Sequence, residues 1–332
     1  MELIDSFNRK HDYLRISLTD RCNYKCIYCN PEKHVSYSSL KNNLLSFDEI
    51  ERLIEIFVSE LNFKKIRFTG GEPLLRKDVF NLFNRAGKLK EKYGFKLGLT
   101  TNGSLIEGRL SELKKIGFDS INISLDSLNE NKFKFITGRN DLLKLLNVIA
   151  QAQQVGFNPV KLNVVVLKGI NDNEILDFVE RFKWQNINLR FIEFMPFSFN
   201  RWAKNGFISF KEMKAIVETK YDILPLNSSV NSVAKNFKLI NGRCLVSFIS
   251  SITEHFCDTC NRVRLKAEGT FKVCLFSSGK DEINFKKLFK NGKSDEEIVE
   301  ILKRAILKKW EKHPAANVLS NEITNNMMEI GG

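Results

Sequence analysis

Between residues 13 and 194, short runs of alternating apolar and polar residues recur, separated by stretches with helical spacing. The runs at 13–18, 64–69, 96–101, 120–125, 160–167 and 187–194 read as strands. The clearest helix is predicted over 47–61, where Ile50, Leu53, Ile54, Phe57, Val58 and Leu61 fall on one face. Ser46, followed three residues later by Glu49, makes a capping box at its start. Leu142, Leu145, Leu146, Ile149 and Ala152 mark a second helix. Each strand–helix unit takes about 25–35 residues, the size of a βα repeat with parallel strands.

Side chains alternate between the two faces of a strand, so each run sorts its residues into two sets. Ile66 and Phe68 oppose Lys65, Arg67 and Thr69; Leu14, Ile16 and Leu18 oppose Arg15, Ser17 and Thr19. Ile121 and Ile123 oppose Asn122 and Ser124, and Leu162 and Val164 oppose Lys161 and Asn163. The apolar set is expected to pack on helices. The polar and cationic set is expected near strand C-termini, lining the mouth of a barrel or partial barrel. An open doubly wound sheet is the alternative, although no Gly-x-Gly-x-x-Gly turn follows the first strand, which counts against a dinucleotide fold.

Past residue 200 the rhythm breaks. Residues 209–219 and 298–310 have helical spacing, 227–233 reads as a loop, and 244–249 and 262–274 read as strands. The expected architecture is therefore α/β. Residues 1–205 form a partial TIM-type (βα)6 barrel, and residues 206–332 a smaller α+β domain.

A content of 43% hydrophobic and 27% charged residues is that of a globular protein and sets disorder aside. No apolar run approaches the ~18 residues a membrane span needs. The first ten residues carry Glu2 and Asp5 and lack the apolar core of a secretory signal, so the expected compartment is the cytoplasm. The net charge of +13 suits a polyanionic partner, a nucleotide or a nucleic acid. Its spread along the chain, without a basic tail, argues against a stable nucleic-acid complex.

Seven cysteines sharpen this picture, because six of them fall into two tight groups. Clustered cysteines in a reducing compartment are more often metal ligands or redox pairs than disulfides. The first group, Cys22-x3-Cys26-x2-Cys29, directly follows the first strand. Three thiolates so close can hold three irons of a four-iron cluster and leave the fourth open. A structural zinc site is the alternative, and it needs a fourth ligand, which His34 could supply.

This Cys-x3-Cys-x2-Cys run, with Tyr28 before its last cysteine, resembles the radical S-adenosylmethionine (SAM) superfamily. The resemblance implies a partial TIM-type barrel, a [4Fe–4S] cluster in this loop, and SAM chelated at the open iron. Reduction then releases a 5′-deoxyadenosyl radical. Gly70-Gly71-Glu72-Pro73 after the second strand is similar to the superfamily's glycine motif. The resemblance thus implies SAM contacts from Tyr28, Gly71, Ser124 and Met195.

The second group is Cys257-x2-Cys260-x13-Cys274. Its spacing alone fits a zinc ribbon, with Cys244 or His255 as fourth ligand. Arg262 and Arg264, two apart on a strand, share a face and offer planar forks of donors suited to phosphates. Cysteines and arginines together resemble one radical SAM family, the GTP 3′,8-cyclase of molybdenum cofactor biosynthesis, along nearly the whole chain. That resemblance implies a second [4Fe–4S] cluster on Cys257, Cys260 and Cys274, its open iron facing the guanine. Substrate contacts are implied at Arg15, Arg67, Thr100, Lys161, Arg262, Val263 (through its backbone) and Arg264. Catalytic positions are implied at Lys65, Arg67, Arg190 and the terminal Gly331 and Gly332, a tail slim enough to enter a narrow channel. It further implies a homodimer, a reducing partner, and a cyclic pyranopterin monophosphate synthase that receives the product. Cys244 matches no ligand position and is expected to be buried. The two other readings are a peptide-modifying radical SAM enzyme with auxiliary clusters and a zinc-ribbon nucleic-acid-binding protein.

Overall fold

The alternation that marks the strands is an instruction about packing, and the computed structural model follows it over the residues it describes: 1–29, 43–197, 200, 202, 206–227, 229–277, 282–322 and 327–331. A short pair, β1 (Leu3–Ile4) and β2 (Lys10–His11), precedes β3 (Tyr13–Ser17). Then come β4 (Lys65–Thr69), β5 (Lys96–Thr101), β6 (Ser120–Ser124), β7 (Val160–Val166) and β8 (Ile187–Glu193). β3 to β8 pair in chain order, all parallel. The connecting helices are α1 (Phe47–Glu55), α2 (Val79–Tyr93), α3 (Leu110–Ile116), α4 (Glu130–Thr137), α5 (Leu142–Gln154) and α6 (Ile175–Phe182). Leu14, Ile16, Ile66, Phe68, Leu162 and Val164, the apolar sets of their strands, are buried in one continuous core with the helices.

Helix α1 begins as its capping box requires. Glu49 N–H donates to Ser46 Oγ at 3.1 Å, and Ser46 N–H donates to Glu49 Oε2 at 2.6 Å. Its apolar face extends into a π-helical turn, Ile56–Glu60. There Phe57 packs edge-on against Phe63 and Phe285 and lies tilted beside Phe271, tying the turn to the C-terminal third of the chain.

That third continues with α7 (Phe210–Glu218), β9 (Ile223–Pro225), β10 (Lys235–Leu239), β11 (Leu245–Ile249), β12 (Arg262–Leu265), β13 (Thr270–Lys272), β14 (Ile283–Asn284), α8 (Phe285–Lys290), α9 (Asp295–Ile306), α10 (Ala316–Glu322) and α11 (Met327–Ile330). β11 adds parallel to β8 and β12 adds parallel to β3, so the C-terminal residues extend both edges of one open sheet, twelve-stranded among the described residues. Its order is β14-β13-β12-β3-β4-β5-β6-β7-β8-β11-β10-β9.

Two expectations need correction. Residues 262–274 are not one strand but a hairpin, β12 and β13, turning at Gly269 with a left-handed φ of 93°. Alternation in the flanking residues masked the turn that the glycine permits. The cations also do not gather at strand C-termini. Lys65 opens β4, Lys161 is second in β7, and Arg15 and Arg190 sit mid-strand. Alternation fixes the face a side chain takes, not its height along the strand.

Candidate functional site

Three adjoining cavities run along the polar face of the sheet. The first lies at the strand C-termini and is lined by Cys22, Cys26, Cys29, Gly70, Gly71, Ser124, Asp126, Asn163 and Met195, with Thr100 also in its wall. The second shares Asn163, Ile192 and Met195 with the first, and adds Cys257, Cys260, Cys274, Arg264 and His255. The third, about 500 Å³, shares Arg15, Asn122, Arg190 and Arg262 with the second and reaches the strand N-termini at Lys65, Lys96 and Lys161.

Local hydrogen bonds fix the first cysteine loop. Lys25 and Ile27 N–H donate to the carbonyls of Thr137 and Ile136 at the end of α4, at 2.8 and 3.0 Å. Asn23 Nδ2 donates to Ser104 Oγ, and Asn102 Nδ2 donates to Asn23 Oδ1 at 2.9 Å. The glycine motif is held tightly against this loop. A Cβ on Gly71 would lie 2.2 Å from the Arg21 carbonyl oxygen, and one on Gly70 would lie 2.6 Å from that of Thr19. Only glycine allows so close an approach.

Two buried carboxylates complete this end, and the sequence patterns did not single them out as site residues. Glu72 accepts from Thr101 Oγ1 (2.8 Å), Asn102 N–H (2.7 Å) and Leu74 N–H (3.1 Å), and burial pushes it up to about 7. Asp126 accepts from the Tyr28 hydroxyl at 2.7 Å and from Val165 N–H at 2.9 Å, and burial pushes it up to about 6. Tyr28 is thereby fixed beside the thiols. Burial also raises Cys22 to about 11, and raises Cys26 and Cys29 further.

The second group of cysteines faces cations instead. Arg262 Nη2 lies 3.2 Å from Cys260 Sγ and Lys309 Nζ lies 3.6 Å from it. Burial pushes Cys260 up, but Arg262 and Lys309 outweigh it and bring the thiol down to about 6. Glu193, fully buried at the end of β8, accepts from Phe210, Ile252 and Thr253 N–H and from the Thr253 hydroxyl. It thus pins the segment leading to Cys257 against β8, another role no local pattern revealed.

Across the sheet, Arg264, Arg15 and Arg67 stand in one row on β12, β3 and β4. Arg67 is buried and donates to Tyr13 Oη (2.9 Å), Leu99 O (2.6 Å) and Ser120 Oγ (2.7 Å), filling space that a Cβ on Gly98 would occupy. Most of its hydrogens go to the protein, so it offers the cavity charge more than donors. Lys65 stands over the Tyr13 ring. Burial, with neighbouring cations, brings Lys161 down to about 7, Arg264 to about 9 and Arg190 to about 10. Asp12 is the one carboxylate among the described residues lining the third cavity. A buried wall of like charge is costly without an anion, so it is built for one.

The chain end returns to this place. Arg264 Nη1 donates to Gly331 O at 2.9 Å, and a Cβ on Gly331 would press on Ser17 and Thr69. Gly332 and His34 lie outside the described residues. Val263 points into the core and Cys244 is sealed within it, whereas His255 stands in the second cavity's wall.

All six grouped cysteines are free thiols that share cavity walls in two sets of three, which suits iron–sulfur groups with one iron left open. Among the described residues, no three His, Cys, Asp or Glu side chains gather around a single point as one metal ion requires. No helix of the described residues is long and apolar enough to cross a membrane.

Residues 16–182 match the radical SAM superfamily, and residues 187–315 match the family described as Molybdenum Cofactor Synthesis C. The chain is 44% identical to the mitochondrial GTP 3′,8-cyclase of Arabidopsis thaliana, over 99% of this chain and 83% of that protein. It is 42% identical to the GTP 3′,8-cyclase of Syntrophomonas wolfei, over 99% of this chain and 100% of that one. It is also 42% identical to molybdenum cofactor biosynthesis protein 1 of Dictyostelium discoideum over 99% of its length, but spans only 52% of that longer protein. Streptococcus suis SuiB, solved with S-adenosylmethionine, shares the fold, with a TM-score of 0.64 at 14% identity over 96% of this chain and 76% of SuiB. On these full-length matches, and with both cysteine groups set along one polar face, the chain belongs to the radical SAM superfamily and, within it, to the GTP 3′,8-cyclase family of molybdenum cofactor biosynthesis.

Proposed function

We propose that this protein is a GTP 3′,8-cyclase that converts GTP to (8S)-3′,8-cyclo-7,8-dihydroguanosine 5′-triphosphate. One observation carries the reading: three cavities in a line place a thiol-lined end, a second thiol set with arginines, and a cation-rich wall in succession. GTP fits around this succession with its ribose, which joins base and triphosphate, turned toward the first cysteine group, its base at the second and its triphosphate on the cations.

In this reading residues 1–205 are a partial (βα)6 barrel and residues 206–332 a smaller α+β domain across its open side. Cys22, Cys26 and Cys29 hold one [4Fe–4S] cluster, with SAM beside Tyr28, Gly71, Ser124 and Met195. Cys257, Cys260 and Cys274 hold the second, against the guanine. Bound there and reduced, the first cluster and SAM would supply the radical that removes hydrogen from C3′. Joining C3′ to C8 leaves an unpaired electron on the base, which one further electron from the reducing partner and a proton at N7 would quench to the dihydro product. The protein's own contribution is positioning, since both reacting carbons belong to one molecule and must be held in an attack geometry.

Arg15, Lys65, Lys161 and Arg190 hold the triphosphate, supported by the charge of Arg67. Arg262, Arg264 and the Val263 backbone border the nucleoside, and Thr100 meets it from β5. Asn122 and Asn163 each present a buried Oδ1 with no partner among the described residues, suited to accept from sugar hydroxyls. Gly331, held by Arg264, enters beside the reacting atoms, and Gly332 is assigned a catalytic role with it. A reducing partner, a homodimer and a downstream cyclic pyranopterin monophosphate synthase complete the proposal. Six thiols kept for metal chemistry fit a reducing compartment such as the cytoplasm.

The test is deoxyadenosine release from anaerobically reconstituted protein given SAM and dithionite, with and without GTP. Strong stimulation by GTP, with GTP consumed, is the expected result. Release that ignores GTP would keep the radical SAM chemistry and remove the substrate. No release from a reduced, cluster-loaded protein would overturn the role of the first cysteine group.

A further inference from the structure

Lys309 lies just beyond α9 with only 4% of its surface exposed. Its ammonium is 3.6 Å from Cys260 Sγ and donates to the Arg262 carbonyl at 2.8 Å. Among the described residues no carboxylate pairs with it, and it lines none of the three cavities, so it faces neither solvent nor nucleotide. Arg262 is different: it touches the same sulfur but also borders two cavities.

A buried ammonium is costly unless an anion compensates it. The sulfurs of Cys260 and Cys274 favour its charged form, while Arg262 and Arg9 repel it. Its position is also fixed from behind. Arg9 Nη1 donates to the carbonyls of Cys257 (2.8 Å) and Glu311 (2.6 Å), and Arg9 Nη2 donates to that of Trp310 (2.6 Å). Arg9 is anchored in turn by Asp5 at 2.6 Å, which also meets His11. The N-terminal segment therefore clasps residues 310–311, next to Lys309, to the loop of Cys257 and Cys260.

We propose that Lys309 is a positioning residue for the metal group of the second cysteine set, donating to the Cys260 sulfur, balancing its negative charge and holding its reduction potential up. The proposal rests on the two-cluster reading above. A cation beside a cluster sulfur stabilises the reduced, more negative state, and hydrogen bonds to the sulfurs act in the same sense. Neutralising Lys309 lowers the potential of that cluster and leaves the other one alone.

The experiment uses full-length protein carrying Cys22→Ala, Cys26→Ala and Cys29→Ala, so that only the second set can bind iron. Reconstituted samples are titrated redox-potentiometrically by electron paramagnetic resonance, and iron and sulfide are assayed. Lys309→Met is expected to keep its iron and sulfide but to titrate at a lower midpoint, with Lys309→Arg restoring most of the shift. An iron-loaded Lys309→Met variant with the parental midpoint overturns the proposal, as does an arginine variant as low as the methionine one. If Lys309→Met fails to fold, Lys309→Gln against Lys309→Arg makes the same comparison: a lower glutamine midpoint supports the proposal and equal midpoints overturn it. If the parental protein binds no iron–sulfur group at Cys257, Cys260 and Cys274, the two-cluster reading falls first and this assignment with it.

Discussion

Lys161 carries the electrostatic strain of the cation-rich cavity. Burial, then Arg190, Arg67 and Lys65, bring it down to about 7 from an ordinary 10.5. Between those values the unfolded chain holds a proton that the empty folded protein has released, so this residue makes stability rise with pH across that window. Under the proposed function a triphosphate beside Lys161 returns the proton. Affinity for GTP is therefore expected to be highest below pH 7 and to fall toward pH 9, by at most about tenfold per pH unit for one linked proton. Calorimetry at pH 8 in buffers of different ionisation enthalpy should register proton uptake, absent in Lys161→Met. Uptake that persists in the variant would assign the proton elsewhere. At this scale much was legible. Alternation puts Arg15, Lys65, Arg67 and Lys161 on the polar faces of their strands, whereas Arg190 enters only through the family resemblance. Their height was not legible, because a period of two says nothing of where along the strand a cavity opens. Asp126, Glu193 and Lys309 were also hidden, since the groups they serve are distant in sequence: Tyr28 from Asp126, residues 210 and 252–253 from Glu193, Cys260 from Lys309.

Among the elements, α1 shows local and tertiary instructions in agreement. Its capping box satisfies amides that the helix start leaves unpaired, and its apolar stripe is buried. Ser46→Ala is expected to cost about 1 kcal/mol, read as a lower urea midpoint with an unchanged slope. No change would mean that the packing of Phe57 beyond the helix holds its first turn in place. The predicted end at residue 61 took no account of the π-helical turn, because an i→i+5 step preserves the apolar stripe that the spacing detects. The hairpin of β12 and β13 escaped for a related reason. Both strands are apolar on the same side, and the turn between them announces itself by one glycine.

For the whole molecule, the decisive fact is that the C-terminal residues add strands to both edges of the sheet. β12 beside β3 brings Cys257 and Cys260 to the N-terminal end of β3, one step below the mid-strand Arg15 and Arg67, and β11 beside β8 extends the other flank. Under the proposed function the two cysteine groups act on one substrate from opposite sides. Cys257→Ala is therefore expected to abolish conversion of GTP while iron bound by Cys22, Cys26 and Cys29 persists, measured by product formation and iron content together. Full conversion in that variant would remove the second group from the reaction.

The sequence by itself determined the strand–helix order, the faces of the strands and the two cysteine sets, because each depends on residues close to one another along the chain. Only the tertiary structure decided that the sheet stays open and is extended at both edges, that the cations lie mid-strand or at strand N-termini rather than at C-termini, and that Gly331 and Lys309 meet groups far away in the chain. Those outcomes depend on which strands pair and on which buried charges can find partners, and both are settled by the packing of the whole chain.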